Sequence, residues 1–237
     1  MPTIAIYSLK GGVGKTTLAV NLAWCAATLS ARRTLLWDID PQAASSFLLS
    51  AQKTKADAAA IFSKDADPAR LAQHTAIDRL DLIAADASLR GLDLLFHDLD
   101  KKKRLQKLLA GVAKAYDRIL LDCPPGLNET SDQVMRAADL IVVPVIPSPL
   151  SQRAFAEVKR HLPARADVMP VHAMVDRRRK LHAEALEKQP GWPVVPMASV
   201  VEAMASRQAP VGSFAPKTAG GKAFAHLWQA IEQRLAK

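Results

Sequence analysis

The sequence predicts an α/β fold: a mostly parallel, twisted sheet with helices on both faces, in one domain over residues 1–237. Three observations predict it. Short apolar runs alternate with stretches of helical spacing. A glycine-rich turn, Gly11-Gly12-Val13-Gly14, separates the first apolar run from the first helical one. Acids close two of the runs, at Asp38 and Asp122, and the strand ends are where open α/β sheets bind ligands.

In chain order, the first strand is predicted over Thr3–Ser8, with no basic start or cleavage site of a secretory signal. A helix follows from Lys15, carrying Leu18, Leu22 and Leu29 at helical spacing. Further strands are predicted over Thr34–Asp38, Leu80–Ala84, Arg118–Asp122, Leu140–Val145, Val171–Val175 and Val194–Met197. Lys101–Ala115 reads as a helix with Leu105, Leu108, Leu109 and Val112 on its apolar face. A last helix over Gly221–Ala236 carries Phe224, Leu227, Trp228, Ile231 and Leu235 as one stripe. Its polar face mixes both charges, which predicts packing on the sheet over a place at a membrane surface. Hydrophobic residues make up 49% of the chain, yet no apolar run reaches the roughly 18–20 residues of a membrane span. Cys25 and Cys123 form no disulfide framework and no four-cysteine metal site, and read as small core residues. A soluble cytoplasmic protein is expected.

The formal net charge is +9, unevenly spread. Residues 1–149 hold 18 Lys and Arg against 16 Asp and Glu, whereas residues 150–237 hold 14 against 7. A basic surplus confined to one part of a chain predicts a polyanion partner. Its densest run is Arg177-Arg178-Arg179-Lys180, and Arg153, Lys159, Arg160, Arg207, Lys217 and Lys222 add to it. Few aromatics are interleaved, so phosphate contacts to duplex DNA fit better than base stacking on single strands. The run Lys101-Lys102-Lys103-Arg104 reads as a helix start facing solvent.

Lys10-Gly11-Gly12-Val13-Gly14-Lys15-Thr16-Thr17 has the composition of a phosphate-binding loop between strand and helix. Its glycines let backbone N–H groups curl around phosphate oxygens, and the helix start points its positive end at them. Lys15 supplies a point charge to the β and γ phosphates, and the Thr16 hydroxyl can reach Mg²⁺. Ile119-Leu120-Leu121-Asp122 is an apolar strand ending in an acid, so Asp122 is a metal candidate through water. Cys123-Pro124-Pro125-Gly126 then opens a loop able to sense the terminal phosphate. Asp38 and Asp40, at the end of the second strand, can order the metal shell and an attacking water.

Together these residues resemble the ParA/MinD branch of P-loop ATPases, and most closely the ParA partition ATPases. Lys10 stands where that family keeps the signature lysine of its deviant Walker A motif. Asp38-Ile39-Asp40-Pro41-Gln42 is similar to its second motif, with the Pro-Gln ending typical of ParA. Tyr116-Asp117-Arg118-Ile119-Leu120-Leu121-Asp122-Cys123-Pro124-Pro125-Gly126 resembles its Walker B and switch segment. Leu82-Ile83-Ala84-Ala85 with Leu89 resembles its middle strand. Pro144-Val145-Ile146-Pro147 and Met174-Val175-Asp176-Arg177-Arg178 resemble its later strand ends, and Ala209-Pro210-Val211 with the last helix its C-terminal pattern. The first motif is highly specific, the later ones looser.

The resemblance implies ATP and Mg²⁺ as cofactors and slow, partner-stimulated ATP hydrolysis. It implies an ATP-sandwich homodimer in which Lys10 crosses to the other subunit's phosphates, much as an arginine finger does. Gly11, Gly12, Val13, Gly14, Lys15, Thr16 and Thr17 would bind phosphates, Pro147, Met174 and Asp176 would flank the base, and Asp40 would position the lytic water. Thr16, Asp38 and Asp122 are the metal candidates. The dimer would bind double-stranded DNA without sequence preference, with Arg178, Arg179, Lys180, Arg153, Arg207, Lys217 and Lys222 as candidate contacts. A ParB-like or analogous adaptor would stimulate hydrolysis, and the protein would associate with the nucleoid and not with membrane. Its role would be to segregate or position a plasmid, a chromosome region or a protein cargo. Larger ParA proteins carry an N-terminal helix-turn-helix extension; with a first strand at Thr3, the short form is expected. Two alternatives stand beside this one: a MinD-like membrane-associated regulator, and an ATP-switched scaffold or adaptor of a larger assembly.

Overall fold

A computed structural model describes residues 1–52, 57–63, 67–98, 103–163 and 166–236. The strands are β1 (Thr3–Ile6), β2 (Thr34–Asp38), β3 (Ala72–His74), β4 (Leu80–Ile83), β5 (Arg118–Asp122), β6 (Leu140–Val145), β7 (Asp167–Val175) and β8 (Val194–Pro196). They form one eight-stranded sheet in the order β3-β4-β2-β5-β1-β6-β7-β8. All neighbours are parallel except β3 and β4. Because both faces are covered, the central strands read as unbroken apolar runs, as parallel strands must.

The helices are α1 (Lys15–Trp24), α2 (Ala44–Leu48), α3 (Ala60–Ser63), α4 (Leu92–Asp98), α5 (Arg104–Val112), α6 (Glu129–Ala137), α7 (Pro149–His161), α8 (Lys180–Lys188), α9 (Ser199–Arg207), α10 (Val211–Phe214) and α11 (Ala219–Leu235). Strand alternation splits the core in two. Ile4, Ile6, Leu36, Leu120 and Val142 pack with α1 and with Phe224, Leu227, Trp228 and Ile231 of α11. Ala5, Tyr7, Leu35, Leu121 and Val143 pack on the other face with Leu105, Leu108 and Leu109 of α5, Val134 of α6 and Val158 of α7. Cys25 and Cys123 are buried, one in each core. The apolar stripe of α11 is thus spent on the sheet, as its mixed polar face predicts.

Close approach replaces side chains at two glycines. A Cβ on Gly212 would lie 2.1 Å from the Trp24 ring, and one on Gly221 would lie 2.5 Å from the Ala215 carbonyl oxygen. Both are places where α10 and the start of α11 press on their neighbours.

Several expectations are corrected. The first helix is regular to Trp24, then widens into a π turn over Cys25–Leu29. The wider turn rotates the end of the helix, so Leu29 leaves the apolar stripe and is 52% exposed. β7 starts at Asp167, ahead of the expected Val171, and pairs with β6 from Asp167 to His172. Pro170 obscures this start in the sequence. It is tolerated because the outer side of β7 is open there: β8 pairs only near His172 and Val175, and Pro170 shares the parity of the outward His172 N–H and Val168 carbonyl. β3, a short edge strand of Ala72, Gln73 and His74, has no apolar pattern to betray it.

The predicted Lys101–Ala115 helix is shorter, Arg104–Val112, and the solvent-facing basic start is wrong for Arg104. Arg104 is buried, and its guanidinium donates to the carbonyls of Phe62 and Ile61 at the end of α3. It therefore caps a helix C-terminus, where a cation meets the negative dipole end. Lys103 is exposed, and Lys101 and Lys102 lie outside the described residues.

Candidate nucleotide and metal site

β1 lies between β5 and β6. The helix after β1 covers one face of the sheet and the helix after β6 covers the other, which opens a crevice at the strand ends. The turn out of β1 fills that position. Gly12 (φ 70°) and Gly14 (φ 90°) take left-handed backbone, which glycine adopts without strain. A Cβ placed on Gly11 or Gly12 would meet nothing within 4 Å, so open space lies beside both glycines. α1 starts immediately after, at Lys15. Lys15 is buried, and its Nζ donates to the Lys10 carbonyl at 3.3 Å, spanning the mouth of the turn. Burial lowers the Lys15 pKa, and the charges of Asp122 and Asp40 partly offset that. The side chain of Lys10 forms no ion pair among the described residues, and its N–H donates to Ser8 Oγ at 3.3 Å.

The acids stand on the neighbouring strands. Asp38 and Asp122 are register partners at the ends of β2 and β5, and neither is exposed to solvent. Asp122 Oδ2 accepts the Ser45 hydroxyl at 2.7 Å, while Oδ1 has no hydrogen-bond partner among the described residues. Both oxygens of Asp38 are engaged: Oδ2 accepts the Ser46 hydroxyl at 2.7 Å and the Ser46 N–H at 2.9 Å, and Oδ1 accepts the Asp40 N–H at 3.1 Å. Desolvation pushes the Asp38 pKa up to about 7, with the Asp122 charge as the next cause. Asp122 is likewise raised by burial, and the Ser45 and Thr16 hydroxyls oppose that shift. Asp40 is buried, with Oδ1 accepting the Gln42 N–H at 2.9 Å.

The residues present fit a magnesium-bound phosphate chain. The orphaned Oδ1 of Asp122 is a buried acceptor in want of a cation or a water, and the Thr16 hydroxyl acts on the same carboxylate. Among the described residues no three His, Cys, Asp or Glu side chains converge as a metal cage.

One later strand end closes on the turn. Met174 sits in left-handed backbone (φ 53°), and its methyl lies 3.7 Å from where a Gly14 Cβ would be. Pro147 is buried at the end of β6. Asp176 turns elsewhere, to Arg178 (2.9 and 3.0 Å) and Arg179 (3.7 Å). The Arg178 guanidinium holds the Asp176 carboxyl down, at about 2. The loop after β5 is anchored at its far end by the buried Tyr7, whose hydroxyl donates to the Gly126 carbonyl at 2.7 Å.

The candidate DNA contacts do not gather into one patch. Arg178, Arg179 and Lys180 lie at the nucleotide edge, and each faces an acid: Asp176 for the arginines, Glu184 at 4.0 Å for the lysine. Arg153 sits on α7, which covers one face, whereas Lys222 sits on α11, which covers the other. Lys217 just precedes α11, and Arg207 stacks over Phe214 at 4.9 Å. Arg153, Lys217 and Lys222 are exposed and form no ion pair among the described residues. A cavity of about 740 Å³ lies away from the glycine turn, between α7, α8 and the start of β7 beside Phe155 and Trp192. No helix among the described residues is long and apolar enough to cross a membrane.

Sequence reasoning missed Ser45 and Ser46. Their signal was only a serine pair five residues beyond Asp40, which reads as an ordinary helix start.

Residues 1–163 match the family model described as an AAA domain. The sporulation initiation inhibitor protein Soj of Bacillus subtilis is 38% identical over 145 residues, covering 60% of this chain and 57% of that protein. A virulence plasmid ParA family protein of Chlamydia psittaci is 34% identical over 164 residues, covering 67% of this chain and 62% of that one. The matched stretch thus spans less than two thirds of either relative. Among solved structures, McdA of Cyanothece in complex with ATP superposes with a TM-score of 0.80 at 20% identity, over 98% of this chain and 96% of that one.

Proposed function

The chain belongs to the AAA-domain family, among its ParA-type partition ATPases, and on that footing we propose that it is an ATP-hydrolysing switch that dimerises around nucleotide and moves a cargo over DNA. The observation that carries the proposal is Asp122 Oδ1, a buried acceptor with no partner among the described residues, on the strand beside a glycine turn with open space beside two of its glycines. Magnesium, when bound, neutralises charge on the β and γ phosphates, and Asp122 and Thr16 are the residues to hold it. The N–H groups of residues 11–17 grip the phosphates, and Lys15 supplies a fixed cation. Asp40 orients the attacking water as its hydrogen-bond acceptor. Lys10, which pairs with no carboxylate among the described residues, reaches a second subunit's phosphates.

Exposed apolar side chains on the same edge support dimerisation there. Phe47, Leu150, Leu181 and Met197 are 57%, 66%, 58% and 50% exposed, and each follows the C-terminal end of a strand. Such side chains around a nucleotide crevice suit a face that closes on a second copy. The proposal extends to non-specific duplex DNA binding by the dimer, release by a ParB-like adaptor, and nucleoid association. Light scattering after size exclusion tests the central claim. With ATP and Mg²⁺ the wild type and Asp40→Ala should elute as dimers, the latter persistently, and Lys10→Ala should bind ATP yet remain monomeric. A monomeric Asp40→Ala would refute the role given to that acid.

A further inference from the structure

The structure assigns a positioning role to α2. Its consecutive serines each hold a different strand-end acid, and Ser45 sets Asp122 so that one oxygen is presented to the metal. This rests on the reading of the glycine turn as a magnesium-nucleotide site.

α2 is only five residues long and follows Ala43, which takes left-handed backbone at φ 53°. Asp40 builds that entry, its carbonyl accepting the Ala43 N–H at 2.8 Å and its carboxylate the Gln42 N–H at 2.9 Å. The turn delivers Ser45 and Ser46 to the ends of β5 and β2. Successive helical side chains point about 100° apart, so neighbouring positions can serve two adjacent strands. Ser45, wholly buried, donates to Asp122 Oδ2 at 2.7 Å. Ser46 donates to Asp38 Oδ2 at 2.7 Å and accepts the Ala85 N–H at 2.9 Å, which ties α2 to the end of β4.

The two serines therefore do different work. Both oxygens of Asp38 accept bonds from the protein: its carboxylate, with Ser46, is a brace between β2, α2 and β4. Asp122 keeps Oδ1 unpartnered among the described residues. The Ser45 bond holds one oxygen of a carboxylate on which the Thr16 hydroxyl also acts, and so restricts the direction in which the other oxygen points. Residues in such a supporting position alter metal affinity about 10–100-fold when removed.

The test measures binding, not turnover. A fluorescent ATP analogue is titrated onto the full chain in EDTA and then at rising Mg²⁺. Ser45→Ala should keep the magnesium-free affinity within about twofold but raise the Mg²⁺ half-saturation about tenfold. Ser45→Thr, which restores a hydroxyl, should return most of it. Ser46→Ala should lower the melting temperature and leave the Mg²⁺ half-saturation unchanged. If Ser45→Ala does not fold, Ser45→Thr against Ser45→Cys carries the comparison, since a thiol is the weaker donor. Wild-type binding that depends on Mg²⁺ together with unaltered Mg²⁺ dependence in the alanine or cysteine variant overturns the assignment alone. A wild type that binds no nucleotide overturns the functional reading as well.

Discussion

Asp38 and Asp122 stand side by side at the ends of two adjacent parallel strands, buried together, with the Lys15 ammonium offsetting part of the charge of Asp122. Burial makes both carboxyls costlier to ionise, and a neighbouring charge adds to that, Asp122 acting on Asp38 and Asp40 on Asp122.

This arrangement fixes a pH dependence. Both folded-state pKa values lie above the ordinary carboxylate value, Asp38 at about 7. The folded protein thus binds more protons than the unfolded chain in this range. The stability so gained is complete below about pH 4 and is lost as pH rises toward 7. Thermal melting of the nucleotide-free protein should therefore show Asp122→Asn gaining on wild type with rising pH, by about 3 °C or more at pH 8 and little at pH 4.5. A pH-independent difference would contradict the raised pKa values.

Lys15→Ala should remove nucleotide binding while the fold survives. Lys15 is the cation in the mouth of the turn, and a loss of about 100-fold or more in ATP affinity is expected, since charge-assisted contacts to phosphate are among the strong ones. Isothermal titration against ATP with Mg²⁺ checks it. Removing the ammonium also leaves Asp122 and Asp40 without their offsetting charge, so the variant should melt lower at pH 8 than at pH 6.

Gly212→Ala should destabilise by about 1–3 kcal/mol, because the new methyl would lie 2.1 Å from the Trp24 ring and the core must shift to admit it. For a chain of this size that is a fall of about 3–10 °C in melting temperature. Gly111→Ala is the contrast: it lies inside α5, with only Pro68 Cδ near, at 3.9 Å, and should gain about 0.5–1 kcal/mol from reduced backbone freedom.

For DNA, the ion pairs decide which basic residues matter. Asp176 offsets part of the charge of Arg178 and Arg179, whereas Lys217 and Lys222 form no ion pair among the described residues. Lys217→Glu with Lys222→Glu should weaken duplex binding by the ATP form more than Arg178→Glu with Arg179→Glu. It should also flatten the salt dependence by about 0.9 for each phosphate that is no longer neutralised. Fluorescence anisotropy across a salt series reads both, and equal or reversed losses would return the DNA surface to the arginine loop.

The fold was legible wherever a pattern repeated. β2, β5 and β6 match their predicted bounds because buried parallel strands are apolar throughout. Elements that depend on tertiary context were not legible: β3 is polar and owes its existence to pairing with β4, and the early start of β7 is hidden by Pro170. In the site, Lys15, Thr16, Asp38, Asp40 and Asp122 announce themselves because the chemistry needs those residue types at strand ends. Ser45 and Ser46 do not, since only the left-handed turn at Ala43 aims them at the acids. The charge of Arg178 looked free for the same reason: its bond to Asp176 is made by loop geometry.

The position of β1 also has a consequence for how the molecule is made. Ile4 must pair with Leu120 on one side and Leu140 on the other, both more than a hundred residues downstream. At ribosomal rates of about 5–20 residues per second, β1 waits on the order of ten seconds for its neighbours to emerge. Through that interval an apolar segment stays without its native partners, and such distant pairing makes for slow assembly prone to self-association. The glycine turn cannot take its final shape until β5 and β6 arrive, so nucleotide can assist only the closing stage of folding. The yield of this protein on overproduction should then depend more on chaperone supply during synthesis than on added ATP.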